Sequence, residues 1–421
     1  MPASSRWQRV PISETYLGLF DGPHATPKPS DEGPVFLGIG NITEDGHLDL
    51  NGVRHISEGD FPKWTKRVEP RAGDIVFTYE ATLNRYAIIP QGFRGCLGRR
   101  LALVRPNPEV VDTRFLHFYF FGANWRATIA SNTLSGATVE RIPLTRFPDF
   151  PISLPPLAEQ RRIASILSAY DDLIENNTQR IAILEKMARR IFDEWFVRFR
   201  FPGYENVRMV ESELGPLPGE WPLVSASTAM HINPKTKVPK EGLKPFLAMN
   251  SLADGSMLIE SDQVRSGNSG SKFQNGDTLF ARITPCLENG KTGFIQFLPD
   301  DDATAFGSTE FIVLRSRTLT PEFVYLLARS APFRDNAIKS MSGASGRQRV
   351  RNACFDTFFL PQPDAETLAK FSEYVRPMFR LVHRLANKNT NLRTTRDLLL
   401  PKLISGELDL SVLPEPEAVA A

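Results

Sequence analysis

The residues of this chain that could carry catalytic chemistry form short and incomplete motifs. Residues 290–292, Gly-Lys-Thr, resemble the end of a phosphate-binding loop, but Pro285 stands where that loop needs its first glycine. Proline has no amide hydrogen to donate to a phosphate, so the sequence does not predict a nucleotide loop. The dipeptide Pro285-Cys286 is typical of the nucleophile of cytosine methyltransferases, yet no glycine-rich cofactor loop follows a strand here. We therefore interpret Cys286 as a cysteine without catalytic function.

Metal-dependent chemistry lacks its usual residues as well. A common type of nuclease site has a carboxylate two residues before a lysine, and no lysine of this chain has Asp or Glu at that position. The six histidines include no His-x-x-x-His pair, so we predict no metal site. The three cysteines, Cys96, Cys286 and Cys354, are irregularly spaced, which argues against disulfides and favours a reducing cytoplasm. The motifs favour a binding protein, with a self-contained DNA methyltransferase or nuclease as the alternative.

Arginines, by contrast, cluster in glycine-rich stretches of both halves of the chain. The candidates are Arg94, Arg99 and Arg100 in the first half, and Arg347, Gln348 and Arg349 in the second. Arg and Gln have the best shape for bidentate hydrogen bonds to guanine and adenine, and nearby glycines let the backbone approach phosphates. We expect the two clusters to occupy equivalent places and to contact DNA. An ordinary solvated arginine surface is the competing interpretation of each cluster.

These clusters belong to a chain that repeats itself at a separation of about 210 residues. Trp7 is echoed by Trp221, residues 73–74 (Gly-Asp) by residues 276–277, and residues 135–137 (Ser-Gly-Ala) by residues 342–344. Loop insertions and deletions explain the small drift in spacing. A tandem duplication of one domain-plus-helix unit would give two similar surfaces, which suits a partner that also comes in two halves.

Bulk composition sets only wide limits on function. A chain of 421 residues predicts two or three domains, and a formal net charge of +2 neither requires nor excludes nucleic acid. No apolar run approaches the roughly 18 residues of a membrane span, and the N-terminus has no apolar signal core. We expect a cytoplasmic protein without a membrane partner.

The predicted fold class is α+β, because two mixed α/β domains are each followed by a long helix. Residues 1–154 and 203–359 alternate short β-type runs with turns, and helices are predicted over 113–130 and 321–339. Two apolar seams with a three-four spacing then indicate long helices. The first seam is Ile163, Leu167, Tyr170, Ile174, Asn177, Ile181, Leu184, Ala188, Ile191 and Trp195. The second seam is Leu368, Phe371, Val375, Met378, Val382, Leu385, Asn389, Leu392, Arg396, Leu399 and Leu403.

Such long seams exceed what one small domain can cover, so we predict that the two helices pair with each other as an antiparallel coiled coil. Asn177 and Asn389 should then lie close together and fix the register at some cost in stability. Pro377 is expected to kink the second helix or to mark an early break.

Several segments resemble the specificity subunits of type I restriction–modification systems. Residues 156–167 (PLAEQRRIASIL) are similar to the central conserved region of that family, and residues 392–408 (LRTTRDLLLPKLISGEL) are similar to its C-terminal one. Residues 276–285 (GDTLFARITP), 288–291 (ENGK) and 307–310 (GSTE) resemble its target recognition domains. The similarity spans nearly the whole chain.

The resemblance implies a division into target recognition domains at 1–154 and 203–359, long helices at 155–200 and 360–410, and a disordered tail at 411–421. It adds Arg282, Asn289 and Lys291 to the candidates for DNA binding. Each domain would read part of a split double-stranded DNA site, and the paired helices would set the unread gap.

The resemblance also implies partners instead of catalysis. The chain would bind no cofactor itself but would recruit two modification subunits that use S-adenosylmethionine to methylate adenine. Restriction subunits that use ATP and Mg²⁺ would complete the complex. Two departures are visible: residues 77–82 (FTYEAT) match the domain pattern less well, and residues 362–366 (QPDAE) have lost the PLAEQ start. We expect different half-sites and a weaker partner contact at the second helix. A coiled-coil scaffold that binds protein instead of DNA is a further alternative.

Overall fold

A computed structural model of the chain describes residues 7–135, 139–213, 215–260, 263–344, 346–408 and 410. The predicted tail at 411–421 and part of the repeated run 135–137 lie outside the described residues. The chain divides into two compact units, which we call unit 1 (Met1–Ile174 with Asn391–Ala421) and unit 2 (Glu175–Thr390). Each unit contains one mixed α/β domain and part of each long helix.

Unit 1 consists of short strands and three helices before the first long helix. Its strands are β1 (Gln8–Pro11), β2 (Tyr16–Asp21), β3 (Ser30–Leu37), β4 (Arg54–His55), β5 (Ile75–Thr78), β6 (Tyr86–Ile88), β7 (Gly95–Leu97), β8 (Leu101–Pro106), β9 (Leu134–Ser135), β10 (Glu140–Arg141) and β11 (Pro151–Leu154). Its helices are α1 (Phe61–Trp64), α2 (Thr113–Phe120) and α3 (Ala123–Asn132), followed by α4 (Leu157–Phe192). Short 3-10 turns cover Ile12–Thr15, Ile39–Asn41 and Phe147–Asp149.

Unit 2 repeats this organisation. Its strands are β12 (Met209–Val210), β13 (Leu217–Pro218), β14 (Leu223–Ser225), β15 (Met230–Ile232), β16 (Lys244–Leu247), β17 (Val264–Arg265), β18 (Ser271–Gln274), β19 (Thr278–Ala281), β20 (Thr292–Phe294), β21 (Thr304–Gly307), β22 (Phe311–Ser316) and β23 (Phe359–Pro361). Its helices are α5 (Ala226–Ala229), α6 (Pro321–Arg329) and α7 (Ala331–Lys339), followed by α8 (Ala365–Ile404). Turns of 3-10 helix cover Tyr204–Asn206, Met249–Ser251 and Asn352–Phe355.

Among the described residues, the sheets of the two units share one strand order, except that the second sheet of unit 2 has an additional strand, β18. In unit 1 a four-stranded antiparallel sheet has the order β2-β8-β5-β6, and a second sheet, β4-β3-β7, contains the parallel pair β3–β7. In unit 2 the orders are β15-β22-β19-β20 and β17-β16-β21-β18, with the parallel pair β16–β21. The central strands β5 and β19 are fully buried, because their residues face covered surfaces on both sides. The duplication seen in the sequence is therefore a duplication of topology.

Both predicted mid-domain helices are broken into two. Gly122 separates α2 from α3, and a Cβ there would lie 2.3 Å from the Ile404 side chain, so glycine lets this turn approach α8 without displacing that side chain. Ser330 separates α6 from α7, because Pro332 would clash with the carbonyl of the preceding turn if one helix continued.

The two long helices run antiparallel in each unit. In unit 2, Phe192 near the end of α4 meets Phe371 near the start of α8, at 6.4 Å between ring centroids, and Asn177 Nδ2 donates to Asn389 Oδ1 at 2.8 Å. In unit 1, Asp171 of α4 pairs with Arg396 of α8 at 2.5 Å. No residue of either predicted seam is exposed. The antiparallel pairing and the asparagine contact predicted from the seams are thus present.

The helix bounds differ slightly from the expectation. α4 ends at Phe192 and continues as a π-helical turn over Asp193–Val197, while α8 passes through Pro377 without the expected break. Pro377 lies on the exposed face, where water can satisfy the Glu373 carbonyl that loses its amide partner. Among the described residues, no helix combines the length and apolar character that a membrane crossing requires.

Candidate nucleic-acid interface

In unit 2 the candidate residues surround the chain segment that extends β19. The Arg282 amide donates to the Glu310 carbonyl at 3.0 Å, and the Arg282 carbonyl accepts from the Val350 amide at 2.9 Å. The Thr284 amide donates to the Gln348 carbonyl at 3.2 Å. These bonds hold residues 282–284 between residue 310 and the segment 348–350. We call this arrangement the rim frame of unit 2.

A hairpin carries the predicted arginine cluster into this frame. Ser342 and Arg349 exchange two backbone hydrogen bonds of 3.1 and 3.0 Å, which closes a hairpin over residues 342–349. Gly343 and Gly346 adopt φ values of 128° and 77°, which side chains disfavour, so glycine permits this tight return. The glycine-rich run before Arg347 is therefore the loop of a hairpin.

A carboxylate already holds Arg349. Its Nη2 and Nε donate to the two Glu310 oxygens at 2.7 and 3.0 Å. These hydrogen bonds lower the pKa of Glu310, and the nearby charge of Arg282 acts in the same direction. The pKa of Arg349 is raised by the same pairing. Arg349 thus fixes the hairpin to the frame, and Glu310 occupies the Nε–Nη2 edge, one of the two edges of its guanidinium that can form a bidentate contact.

The remaining candidates of unit 2 fall into two groups. Arg347 and Asn289 are exposed, and Gln348 is half-buried. Lys291, by contrast, donates to the Leu252 carbonyl at 2.7 Å and pairs with Asp254 at 3.4 Å. Arg282 donates to the Val350 carbonyl at 3.2 Å, so its side chain serves the frame. The frame therefore offers Arg347 and Asn289 most directly to a ligand.

Unit 1 contains the same frame, bond for bond. The Tyr79 amide donates to the Arg100 carbonyl at 3.2 Å, and the Tyr79 carbonyl accepts from the Ile142 amide at 2.8 Å. The Ala81 amide donates to the Glu140 carbonyl at 2.9 Å. The pairs of corresponding positions are 79 and 282, 81 and 284, 100 and 310, 140 and 348, and 142 and 350. This is the rim frame of unit 1.

Charged side chains occupy this second frame differently. Arg100 pairs with Glu80 at 3.3 Å, although its Nε has no hydrogen-bond partner among the described residues. Arg99 is exposed, and its carbonyl accepts from the Tyr79 hydroxyl at 2.9 Å. Arg94 lies further away, forms two hydrogen bonds of 2.6 Å with Glu58 and covers the Phe61 ring at 4.5 Å. Of the three predicted arginines, Arg99 is the one that forms no ion pair with a carboxylate in the part of the chain that the structure describes.

The expected equivalence of the two arginine clusters is wrong. By their backbone bonds, Arg100 corresponds to Glu310, and the counterpart of Arg349 is Arg141 in β10. The error arises because two different structures share a glycine-rich composition: residues 92–98 surround β7, whereas Gly343 and Gly346 belong to the hairpin that Ser342 and Arg349 close. Arg141 was missed because it is an isolated arginine after Glu140; matching the Arg-Ile step at 141–142 to the Arg-Val step at 349–350 would have identified it.

The repeated Gly-Asp motif has a structural function. Asp74 accepts two hydrogen bonds of 2.8 Å from Arg105, and Asp277 accepts two of 2.6 and 2.7 Å from Arg315. Both carboxylates are buried, and burial raises the pKa of Asp277 despite the paired guanidinium. These pairs fix the turn before β5 and β19, the strands that lead into the two rim frames.

The motif at the start of α4 also anchors structure. Gln160 is fully buried, accepts from the Asp112 amide at 2.9 Å and donates to two carbonyls, those of Val110 and Pro155. Trp7 donates to Glu159 at 3.3 Å, and Trp221 likewise donates to Asp364 before α8 at 3.2 Å. The repeated tryptophans thus tie each domain to the helix that follows it.

The enzymatic alternatives find little support in side-chain geometry. The described residues contain no cluster of three or more His, Cys, Asp or Glu side chains that could hold a metal ion. Burial raises the pKa of the Cys96 thiol to about 12 and also raises that of Cys354, so both are poor nucleophiles at neutral pH. The half-buried Cys286 is a free cysteine in the turn after β19.

Comparisons with known proteins identify relatives over most of the length. The type I restriction modification DNA specificity domain matches residues 34–186. The chain is 24% identical to the MjaIX type I restriction enzyme specificity subunit of Methanocaldococcus jannaschii, over 86% of this chain and 83% of the relative. It is 22% identical to the HindI specificity subunit of Haemophilus influenzae, over 89% and 94% of the two chains. In fold, it is similar to a type I restriction–modification S subunit from M. genitalium, with a TM-score of 0.56, 13% identity and coverage of 94% and 96%.

Proposed function

We propose that this chain, a member of the type I restriction–modification specificity subunit family, reads a bipartite and asymmetric DNA site without catalysing a reaction itself. One observation carries the proposal: the same rim frame is built twice, around residues 79–81 and 282–284, with different side chains at matching positions. Two frames of one geometry suit two contacts with one duplex. Different side chains at their rims suit two different half-sites.

The chemistry of the rims supports double-stranded DNA as the ligand. Exposed arginines and an asparagine lie on backbone that hydrogen bonds hold in place, namely Arg99, Asn289 and Arg347. Guanidinium and amide groups make the bidentate contacts that distinguish base pairs in the major groove. Arg100 and Arg349 are already paired with Glu80 and Glu310, so the cations without such a partner would decide where the phosphate backbone and the bases are contacted.

We infer that the chain works as one subunit of a larger enzyme. Relatives named as specificity subunits of type I restriction enzymes support this inference. Two modification subunits would supply S-adenosylmethionine and methylate adenine, and restriction subunits would use ATP and Mg²⁺. The paired helices α4 and α8 would set the gap between the half-sites. The chain itself would hold none of these cofactors.

Methylome sequencing of the host, with and without this gene, tests the proposal. We expect one adenine-methylated motif, made of two short and different half-sites with a fixed gap, to disappear when the gene is deleted. Restoring the gene should restore the same motif. A methylome that is unchanged by the deletion, in a host that expresses the modification subunits, would refute the proposal.

Two further assays separate the alternative functions. If the purified chain alone methylates DNA in the presence of S-adenosylmethionine, it is a self-contained enzyme. If the assembled complex binds duplex DNA with an affinity that does not depend on salt, phosphate contacts are absent and a protein-binding scaffold is favoured. We expect no methylation by the isolated chain and a steep decrease in affinity with salt.

A further inference from the structure

We propose that Arg141 is a specificity-determining residue of unit 1 that contacts a base of the first half-site. The inference rests on the DNA-reading function proposed above and adds a residue that was not among the candidates predicted from the sequence. Arg141 lies in β10, where it is bridged to Leu134 on one side and to Glu80 on the other. Arg349 is bridged to Ser342 and Ile283 in the same way.

The two arginines share a position but not a partner. In unit 2, Glu310 stands beside Arg349 and forms a bidentate ion pair with it. In unit 1 the position of Glu310 is occupied by Arg100, so the acidic partner has been replaced by a second cation. The acidic residue of this frame is Glu80, at the position of Ile283, and it pairs with Arg100 at 3.3 Å.

Among the described residues, the frame of unit 1 therefore leaves Arg141 without a carboxylate partner. Arg141 is exposed, and no carboxylate of the described residues forms an ion pair with it. The neighbouring Glu140 is exposed too, but successive side chains of a strand point to opposite faces, so Glu140 does not face the same side. The Arg141 guanidinium, which the fold positions without an ion-pair partner, is therefore available to a phosphate or to a hydrogen-bond acceptor of a ligand.

The backbone around Arg141 suits base contact better than a mobile loop would. The flanking residues Glu140 and Ile142 are bonded to residues 79–81 at 2.8–2.9 Å, so the root of the side chain is fixed. A fixed guanidinium can present two parallel donors to the O6 and N7 atoms of guanine, which an ammonium cannot match. The Arg99 backbone lies on the other side of residue 79, since its carbonyl accepts from the Tyr79 hydroxyl. Among the described residues, the unit 1 rim thus has one arginine without an ion pair on each side of this strand end.

The test uses the assembled complex of this chain with its modification subunits. The complex is incubated with S-adenosylmethionine and a library of random-sequence duplexes, and methylated duplexes are sequenced to give the motif. For Arg141→Ala we expect preference at one base pair of one half-site to decrease roughly 5- to 150-fold, the range for one bidentate contact. The other half-site and the gap should not change. Arg141→Lys should retain methylation but also lose that preference, because it keeps the charge without the fork.

Arg94→Ala is the matched control, since it removes an exposed arginine of the same unit that Glu58 already holds, and its motif should equal that of the wild type. A motif unchanged at every base pair in both Arg141 variants would overturn the inference, whether or not total methylation decreases. If the wild-type complex gives no bipartite motif at all, it is the proposed function that fails. The two failures are therefore distinguishable.

Discussion

Whether an exposed arginine of this chain is free to contact a ligand depends on the carboxylate beside it. Arg94 and Arg349 each place two nitrogens on a carboxylate, Glu58 and Glu310 respectively. Arg347 lies two residues before Arg349 in the same hairpin and is exposed, with no ion pair among the described residues. The hairpin thus separates a positioning arginine from one that can reach a ligand.

We therefore expect Arg347→Ala to weaken binding of the assembled complex at one half-site and to leave the other intact. A guanidinium that contacts guanine should cost roughly 1–3 kcal/mol on truncation and relax the preference at one base pair. The measurement is binding to duplexes that are mutated in one half-site at a time, at moderate salt. Arg94→Ala, in the other unit, is the control and should leave both half-sites intact.

A phosphate contact by Arg347 would give a different result. Binding would then weaken equally for all sequences, and the salt slope would decrease by about one unit. If neither affinity, preference nor salt slope changes, the hairpin is not the reading edge of unit 2. Replacement of Arg349 should have a different effect from replacement of Arg347, because it breaks the ion pair with Glu310. We expect the backbone amides of the hairpin to exchange hydrogen faster in that variant.

A buried histidine gives unit 1 a pH-dependent stability. Burial lowers the pKa of His117 to about 4, and the nearby His47 charge acts in the same direction. Because the folded-state pKa lies below the ordinary value of 6.5, folding favours the neutral ring. This contribution is complete above pH 6.5 and is lost as the pH decreases from 6.5 towards 4, by about 3 kcal/mol in total.

We expect His117→Gln to reduce this pH dependence. The free energy of opening α2, measured by hydrogen exchange at pH 7 and pH 5, should decrease less in the variant than in the wild type. His24→Gln is the matched control, since His24 is an exposed histidine of the same unit. An equal decrease in the wild type and in His117→Gln would show that protonation of His117 does not contribute to the pH dependence of stability.

At the residue scale, the sequence indicated which types of side chain lie at the rim. It did not indicate which of these side chains are bound by other groups of the protein. Arg347 and Asn289 were predicted and are exposed, whereas Lys291 and Arg282 were predicted on the same grounds and donate to backbone carbonyls. The distinction depends on contacts between residues about 40 to 70 positions apart in the chain, which no local pattern contains. Whether the exposed residues contact DNA remains a prediction.

Elements built on a regular period were the easiest to predict. The three-four seams of α4 and α8 place every member on a covered face, because a long coiled coil repeats one local rule. The mid-domain helices were harder, since their breaks at Gly122 and Ser330 depend on what packs against each turn. Gly122 marks the close approach of α8, which local sequence cannot reveal.

The buried asparagine pair should stabilise the register of the helices at a cost. Asn389→Leu would leave Asn177 in an apolar seam without its 2.8 Å acceptor, and we expect a loss of roughly 1–3 kcal/mol in the unfolding free energy of unit 2. Replacing both asparagines by leucine should recover the loss, because no buried polar group is then left unpaired. Denaturant unfolding of the four variants of this cycle measures the coupling.

Asn387→Leu is the matched control for the helix itself. Asn387 is exposed on the same turn of α8, so this substitution should change stability by less than about 0.5 kcal/mol. Additive effects of the two single substitutions at positions 177 and 389 would show that the asparagines do not interact in solution.

At the scale of the whole molecule, the duplication was visible in the sequence, but its precise alignment was not. Trp221 and the Gly-Asp step at 276–277 mark equivalent positions because they anchor each domain through Asp364 and Arg315. The two rim frames can be aligned only by their backbone hydrogen bonds. This alignment places Arg100 of unit 1 at the position of Glu310 in unit 2. The strands that hold the two rims retain their backbone bonds, whereas the side chains at matching rim positions differ, so the sequence alone does not align the two frames.

The helix pair provides the last and most direct test of the bipartite mechanism. One heptad inserted between residues 174 and 175 of α4, and another between 390 and 391 of α8, leaves the Asp171–Arg396 and Asn177–Asn389 contacts intact. If the pair sets the gap, about 10 Å of added helix should lengthen the unread gap by about three base pairs. The methylated motif of the assembled complex should keep both half-sites unchanged. A heptad inserted in α4 alone would mismatch the seams and should abolish methylation. An active double insertion with an unchanged gap would exclude the helices as the spacer.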